Sequence, residues 1–143
     1  MRSLSADELL RLPVTVRGIE VGRAVDVLLD VGGGRVLGVE VLCRDDSHRF
    51  LALSAATIAD DALATGSALT LLAEDQLDFY RKRARSLRAL RGTPVQFRGR
   101  TLGALADVVL TGEGAMTDVV VVNGSERSRY RWQEALRISA SAA

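Results

Sequence analysis

Residues able to do chemistry are few in this 143-residue chain, and the most suggestive are arginines. Arg81, Arg85 and Arg88 stand at i, i+4 and i+7 in a stretch that reads as helix, which would line them into one ridge. Guanidinium forks in a row suit a phosphate- or carboxylate-bearing partner. The other reading is a solvated basic face, its arginine stems covering apolar surface and its charges pairing with acids elsewhere in the chain. Asp26 and Asp107 occupy equivalent places in two similar stretches. Duplicated carboxylates on duplicated strands point to architecture, each tied to backbone amides near a glycine turn. General acid–base work would require a second titratable group converging on each, and the sequence nominates none. Cys43, the one cysteine, cannot form an internal disulfide and reads as a small buried apolar residue. His48, the one histidine, cannot build a metal cluster by itself and reads as a polar loop residue beside Asp45 and Asp46. Ser54, Ser125 and Ser128 lack a Gly-x-Ser-x-Gly context. Gly32-Gly33-Gly34 is followed by neither Lys-Ser nor Lys-Thr and leads into a strand, so it reads as a hairpin turn rather than a phosphate loop. The expectation is a chain without catalytic residues, metal or cofactor.

The elements that must hold these residues are written twice. Pro13-Val14, Arg17-Gly18, Gly22, Asp26-Val27 and Leu29 recur 81 residues on as Pro94-Val95, Arg98-Gly99, Gly103, Asp107-Val108 and Leu110. After the loss of one residue at a hairpin entrance, Gly32, Gly34, Val39, Val41, Arg49, Phe50, Ala55 and Ile58 match Gly112, Gly114, Val119, Val121, Arg129, Tyr130, Ala135 and Ile138. A duplication of this size implies two similar small modules. Ser5-Ala6-Asp7-Glu8 reads as a capping box opening a short helix that Pro13 ends. Strands are expected over 14–17, 24–31, 35–44 and 49–53, with a single helical turn at 54–57, and again over 95–98, 101–110, 115–123 and 128–132. Over 24–31, alternation would put Val25, Val27, Leu29 and Val31 on one face and Asp26 and Asp30 on the other. Short, evenly spaced strands with glycine turns argue for small barrels.

Between the copies, 74–91 holds no glycine, proline, valine or isoleucine, and Leu77, Tyr80, Ala84 and Leu87 recur at helical spacing. Acids open this stretch, arginines fill the rest, and Gly92 supplies a stop. The organisation expected is therefore a first repeat over 1–73 with a short N-terminal helix, a helical linker over 74–91, and a shorter second repeat over 92–143 that lacks a counterpart to 59–73.

Net charge is only +1, yet residues 1–78 carry 7 cations and 13 anions while residues 79–143 carry 12 and 5, net −6 against +7. The halves can attract each other, or the second can take an anionic partner. The longest apolar runs fall far short of the roughly 20 residues that cross a bilayer, and Asp7, Glu8 and Arg11 interrupt the N-terminal leucines. No membrane insertion and a cytoplasmic setting are expected.

The segments Leu9-Leu10-Arg11-Leu12-Pro13-Val14, Gly22-Arg23-Ala24-Val25-Asp26-Val27-Leu28-Leu29-Asp30 and Arg49-Phe50-Leu51-Ala52-Leu53-Ser54 resemble the PRC-barrel family. So do Gly103-Ala104-Leu105-Ala106-Asp107-Val108 and Arg129-Tyr130-Arg131-Trp132 in the second copy. This small β-barrel occurs in the cytoplasmic domain of the photosynthetic reaction-centre H subunit and in the C-terminal domain of a ribosome-maturation factor. The resemblance implies a mainly β fold of two tandem small barrels packed together and joined by an amphipathic helix. It also implies a noncatalytic module that docks on macromolecules, without a shared cofactor. These 143 residues read as having neither the transmembrane helix that precedes the H-subunit barrel nor the separate N-terminal barrel of the ribosome factor, so the resemblance by itself does not imply photosynthesis or ribosome maturation. The expected function is protein interaction or assembly, with a protein partner. RNA or ribonucleoprotein binding through the basic linker and second half is the alternative, and homo-oligomerisation stays open.

Overall fold

Residues 3–138 are described by the computed structural model, and strands dominate them. The chain opens with β1 (Ser3–Ser5) and α1 (Ala6–Leu9), where Ser5 and Glu8 form the capping box. The first repeat continues through β2 (Pro13–Val16), β3 (Ile19–Asp30), β4 (Arg35–Cys43) and β5 (His48–Ala52), with a 3-10 turn at Leu53–Ala55. Short strands β6 (Thr57–Ile58), β7 (Leu63–Thr65) and β8 (Leu71–Leu72) lie at its edges, giving the order β6-β7-β2-β3-β4-β5-β8. Next come α2 (Glu74–Arg83), β9 (Arg85–Ser86) and α3 (Leu87–Leu90). The second repeat comprises β10 (Pro94–Phe97), β11 (Arg100–Thr111), β12 (Met116–Asn123), β13 (Glu126–Arg131) and β14 (Leu136–Ile138), in the order β13-β12-β11-β10-β14. The fold is mainly β and contains a curled, half-barrel sheet.

Identical turns start both repeats. Arg17 and Gly18 have φ of 50° and 81°, as do Arg98 and Gly99. Two central residues of positive φ make a type I′ turn, whose twist suits a two-residue hairpin. The long strands that follow are bulged at matching places. β3 slips against β4 between Ala24 and Asp26 and between Leu28 and Leu29, and β11 slips against β12 between Leu105 and Asp107 and between Val109 and Leu110. A bulge bends the strand and re-aims side chains. The alternation expected over 24–31 is broken for that reason: Asp26, Val27, Leu28 and Leu29 are all buried, as are Asp107 to Leu110. Asp26 therefore does not share a solvent face with Asp30, which is exposed. Gly22 and Gly103 sit where these strands leave no room for a side chain against their partners. A Cβ at Gly103 would lie 2.6 Å from the Val121 side chain, and one at Gly22 would meet the backbone oxygen of Leu42.

The linker differs from the helix expected over 74–91. α2 ends at Arg83, and Ala84 is extended, with φ −108° and ψ 172°. The cause is tertiary: residues 85–86 pair with β3, Leu28 opposite Ser86 and Leu29 opposite Arg85, which removes them from any helix whatever their propensity. Ser86 then caps α3, its hydroxyl accepting from the amide of Ala89 at 3.3 Å.

This strand–helix element has a counterpart. β1 pairs with β11, Leu4 opposite Leu110, and α1 packs on the same strand. Each repeat's opening strand and short helix thus lie on the long strand of the other repeat. The hairpin tips also meet: the amide of Val36 donates to Gly114 at 2.7 Å and that of Met116 to Gly34 at 2.8 Å. One hydrophobic core consequently draws on both copies, including Leu4, Leu9, Val27, Leu29, Leu87, Leu90, Val108 and Leu110. A smaller cluster of Leu28, Phe50, Leu77 and Ala84 lies under α2, with Tyr80 stacked on Phe50 at 4.1 Å between centroids. Among the described residues, no helix is long and apolar enough to cross a membrane.

Candidate functional site

Asp26 and Asp107 turn inward immediately after their bulges, and each meets a helix that belongs to the other repeat's opening. Asp26 Oδ1 accepts from the amides of Val27 at 2.8 Å and Arg88 at 3.2 Å, and its Oδ2 accepts from the Ser86 hydroxyl. Asp107 Oδ1 accepts from Val108 at 2.8 Å, and its Oδ2 accepts from Asp7 at 3.4 Å. Arg88 and Asp7 are each two residues past a serine cap, so their amides are among those a helix start leaves unpaired. The serine serves one such amide and the carboxylate from across the core serves another. Of the four backbone amides that hold the two aspartates, those of Arg88 and Asp7 lie at helix starts and those of Val27 and Val108 on the long strands, none of them in a glycine turn. Burial raises the pKa of Asp107 above the ordinary carboxylate value, while the Val108 and Asp7 amides and the Arg91 charge, 4.0 Å away, act in the opposite direction.

The three linker arginines do not form a ridge, because the helix that would align them stops. Arg81 binds Glu40 at 2.8 Å and Asp78 at 3.0 Å. Glu40, buried on β4, also meets His48 Nδ1 at 2.6 Å. The hydrogen bond that Arg81 donates to Glu40 is the main cause that raises the pKa of Arg81, with Asp78 adding to it against partial burial. His48 is thus a strand residue bound to a buried acid, and the cluster clamps α2 to β4 and β5. Arg85 is half-buried, and one of its guanidinium nitrogens is buried with no hydrogen-bond partner among the described residues. Arg88 is exposed.

Two concave features accompany these groups. A cavity of about 420 Å³ beside buried Cys43 is lined by charges of both signs, Glu20, Arg44, Asp45 and Arg49, with Arg44 and Glu20 3.4 Å apart. A second, of about 450 Å³, is enclosed by Val31, Gly32 and Arg85 on one side and by Trp132, Glu134, Leu136, Arg137 and Ile138 on the other. Sequence reasoning missed it, since its walls are distant in the chain. It also missed Glu40 as the partner of His48, which a drawn β4–β5 register would have revealed: His48 pairs with Leu42, two residues from Glu40 on the same face. A third omission had a plain signal. Arg127, Arg129 and Arg131 alternate along β13, an edge of its sheet, and all three are exposed. Arg129 is held by Asp118 at 2.8 Å, while Arg127 and Arg131 make no ion pair among the described residues.

Among the described residues, no group of three His, Cys, Asp or Glu could hold a metal ion. Compared with known families and curated proteins, the chain matches no family model and no curated protein.

Proposed function

We propose that this chain is a noncatalytic macromolecule-docking module of the PRC-barrel type, two tandem small barrels fused through exchanged openings, with a protein as its partner. The observation that carries the proposal is how the charged groups are spent. Asp26, Asp107, Glu40 and Arg81 are consumed in internal clamps. Uncommitted cations among the described residues, including Lys82, Arg88, Arg100, Arg127 and Arg131, lie on open surface in the half of the chain whose net charge is +7. An edge strand bearing exposed arginines resists pairing with a copy of itself and favours an acidic surface. A cytoplasmic setting belongs to the same proposal.

The same cations favour RNA as the second reading. Affinity capture from native cells with wild type and an Arg127→Gln/Arg131→Gln variant, alongside RNA titrations over a range of salt, separates the two. Docking on a protein is expected to give a retained protein that the folded variant loses, with weak RNA affinity throughout. Tight RNA binding at physiological salt, with the slope of log K against log salt falling by about two in the variant, would replace the protein reading with the RNA one.

A further inference from the structure

The cavity between the β3–β4 turn and the C-terminal strand is lined by Arg85, which makes no ion pair among the described residues. Arg85 reaches it because β9 pairs with Leu29, just before β3 ends at Asp30 and the chain turns through Val31 and Gly32. One of its guanidinium nitrogens is sealed from the cavity as well as from solvent, so a ligand would meet the rest of the half-buried guanidinium. An arginine without a counter-charge at the wall of a cavity is suited to bind an anion. Arg137 lines the same space and spends one nitrogen on the carbonyls of Glu134 and Leu136. Apart from Glu134, the remaining side chains of the wall are apolar, Val31, Leu136 and Ile138, with Trp132, whose indole lies so close to Gly34 that a Cβ there would collide with it. A volume of about 450 Å³ is in the range that holds a small organic molecule.

We propose that this cavity binds a small organic oxyanion, its carboxylate or phosphate head accepting from Arg85 and its apolar body lying against Trp132, Leu136 and Ile138. Glu134 also lines the cavity and opposes the head. Its carboxylate is exposed, so solvent screens much of that repulsion. The site is independent of the docking surface on β13.

Trp132 is the single tryptophan, so fluorescence excited beyond the absorption of the two tyrosines reports on the wall of this cavity. Wild-type protein titrated with hexanoate, hexyl phosphate and neutral hexanol is expected to give a saturable change with at least one anion and none with hexanol. Hexanoate and hexyl phosphate identify the head group. Arg85→Gln, shown to keep the wild-type circular dichroism, should bind about tenfold more weakly or worse, since a charge-assisted hydrogen bond is lost. Glu134→Gln should bind more tightly, by up to about fivefold. Exposed Arg100→Gln should match wild type. If Arg85→Gln fails to fold, Arg85→Lys and Glu134→Gln, moving affinity in opposite directions, decide the matter. The absence of a saturable response to either anion, an equal response to hexanol, or unchanged affinity in the folded Arg85 variant would overturn the proposal.

Discussion

Asp107 does two opposed things for stability: its oxygens satisfy amides that would otherwise be buried and unpaired, yet its charge is costly where it sits. A carboxyl whose folded pKa lies above the ordinary value of 3.8 binds its proton more readily in the folded state. Stability should therefore decline as pH rises from about 3.8 through the raised value, and the cost should persist at neutrality. Asp107→Asn retains an acceptor without the charge. It should stay within about 1 kcal/mol of wild type at neutral pH and flatten the pH profile over that window. Asp107→Leu leaves donors unpaired and should lose about 1–3 kcal/mol. Urea unfolding from pH 4 upward measures both, and a Leu variant with the wild-type midpoint would remove the structural role. The equivalence of Asp26 and Asp107 was legible in the repeat. Their partners were not, because the amides belong to residues about 60 and 100 positions away, brought near only by the exchanged openings.

For α2, the apolar stripe was readable, since Leu77, Tyr80 and Ala84 do face the small cluster. Its end was not, because no breaker stands at Ala84 and only pairing with β3 draws the chain out of helix. Arg81 accordingly differs from Arg88 far more than their shared spacing suggests. Arg81→Gln removes the cation from a buried Glu40, and should cost about 1–2 kcal/mol after discounting for its partly exposed side chain. Arg88→Gln leaves its amide, the part Asp26 uses, in place, and should cost less than about 0.5 kcal/mol. Native-state hydrogen exchange should show the Arg81 loss concentrated in α2. Equal midpoints for the two variants would mean that the Glu40 clamp contributes nothing.

The two repeats were visible in the sequence as separate stretches of chain, but the core they build is common to both. The reason is geometric: each long strand is covered by an opening strand and helix encoded in front of the other repeat. A fragment of residues 92–143 would retain β10 to β14 yet expose the face of β11 that Leu4, Ala6 and Leu9 cover, and would leave Asp107 without the Asp7 amide. At about 50 residues such a piece is below the size at which a core sustains itself. Residues 1–91 likewise hold α3 and β9 in place but present Leu4 and Leu9 to water. Each fragment alone should give a poorly dispersed amide spectrum and no cooperative melt, whereas mixing them should restore both, because every missing contact is supplied by the other piece. A cooperative melt from residues 92–143 alone would show that the exchange is dispensable and that the second repeat closes its own core.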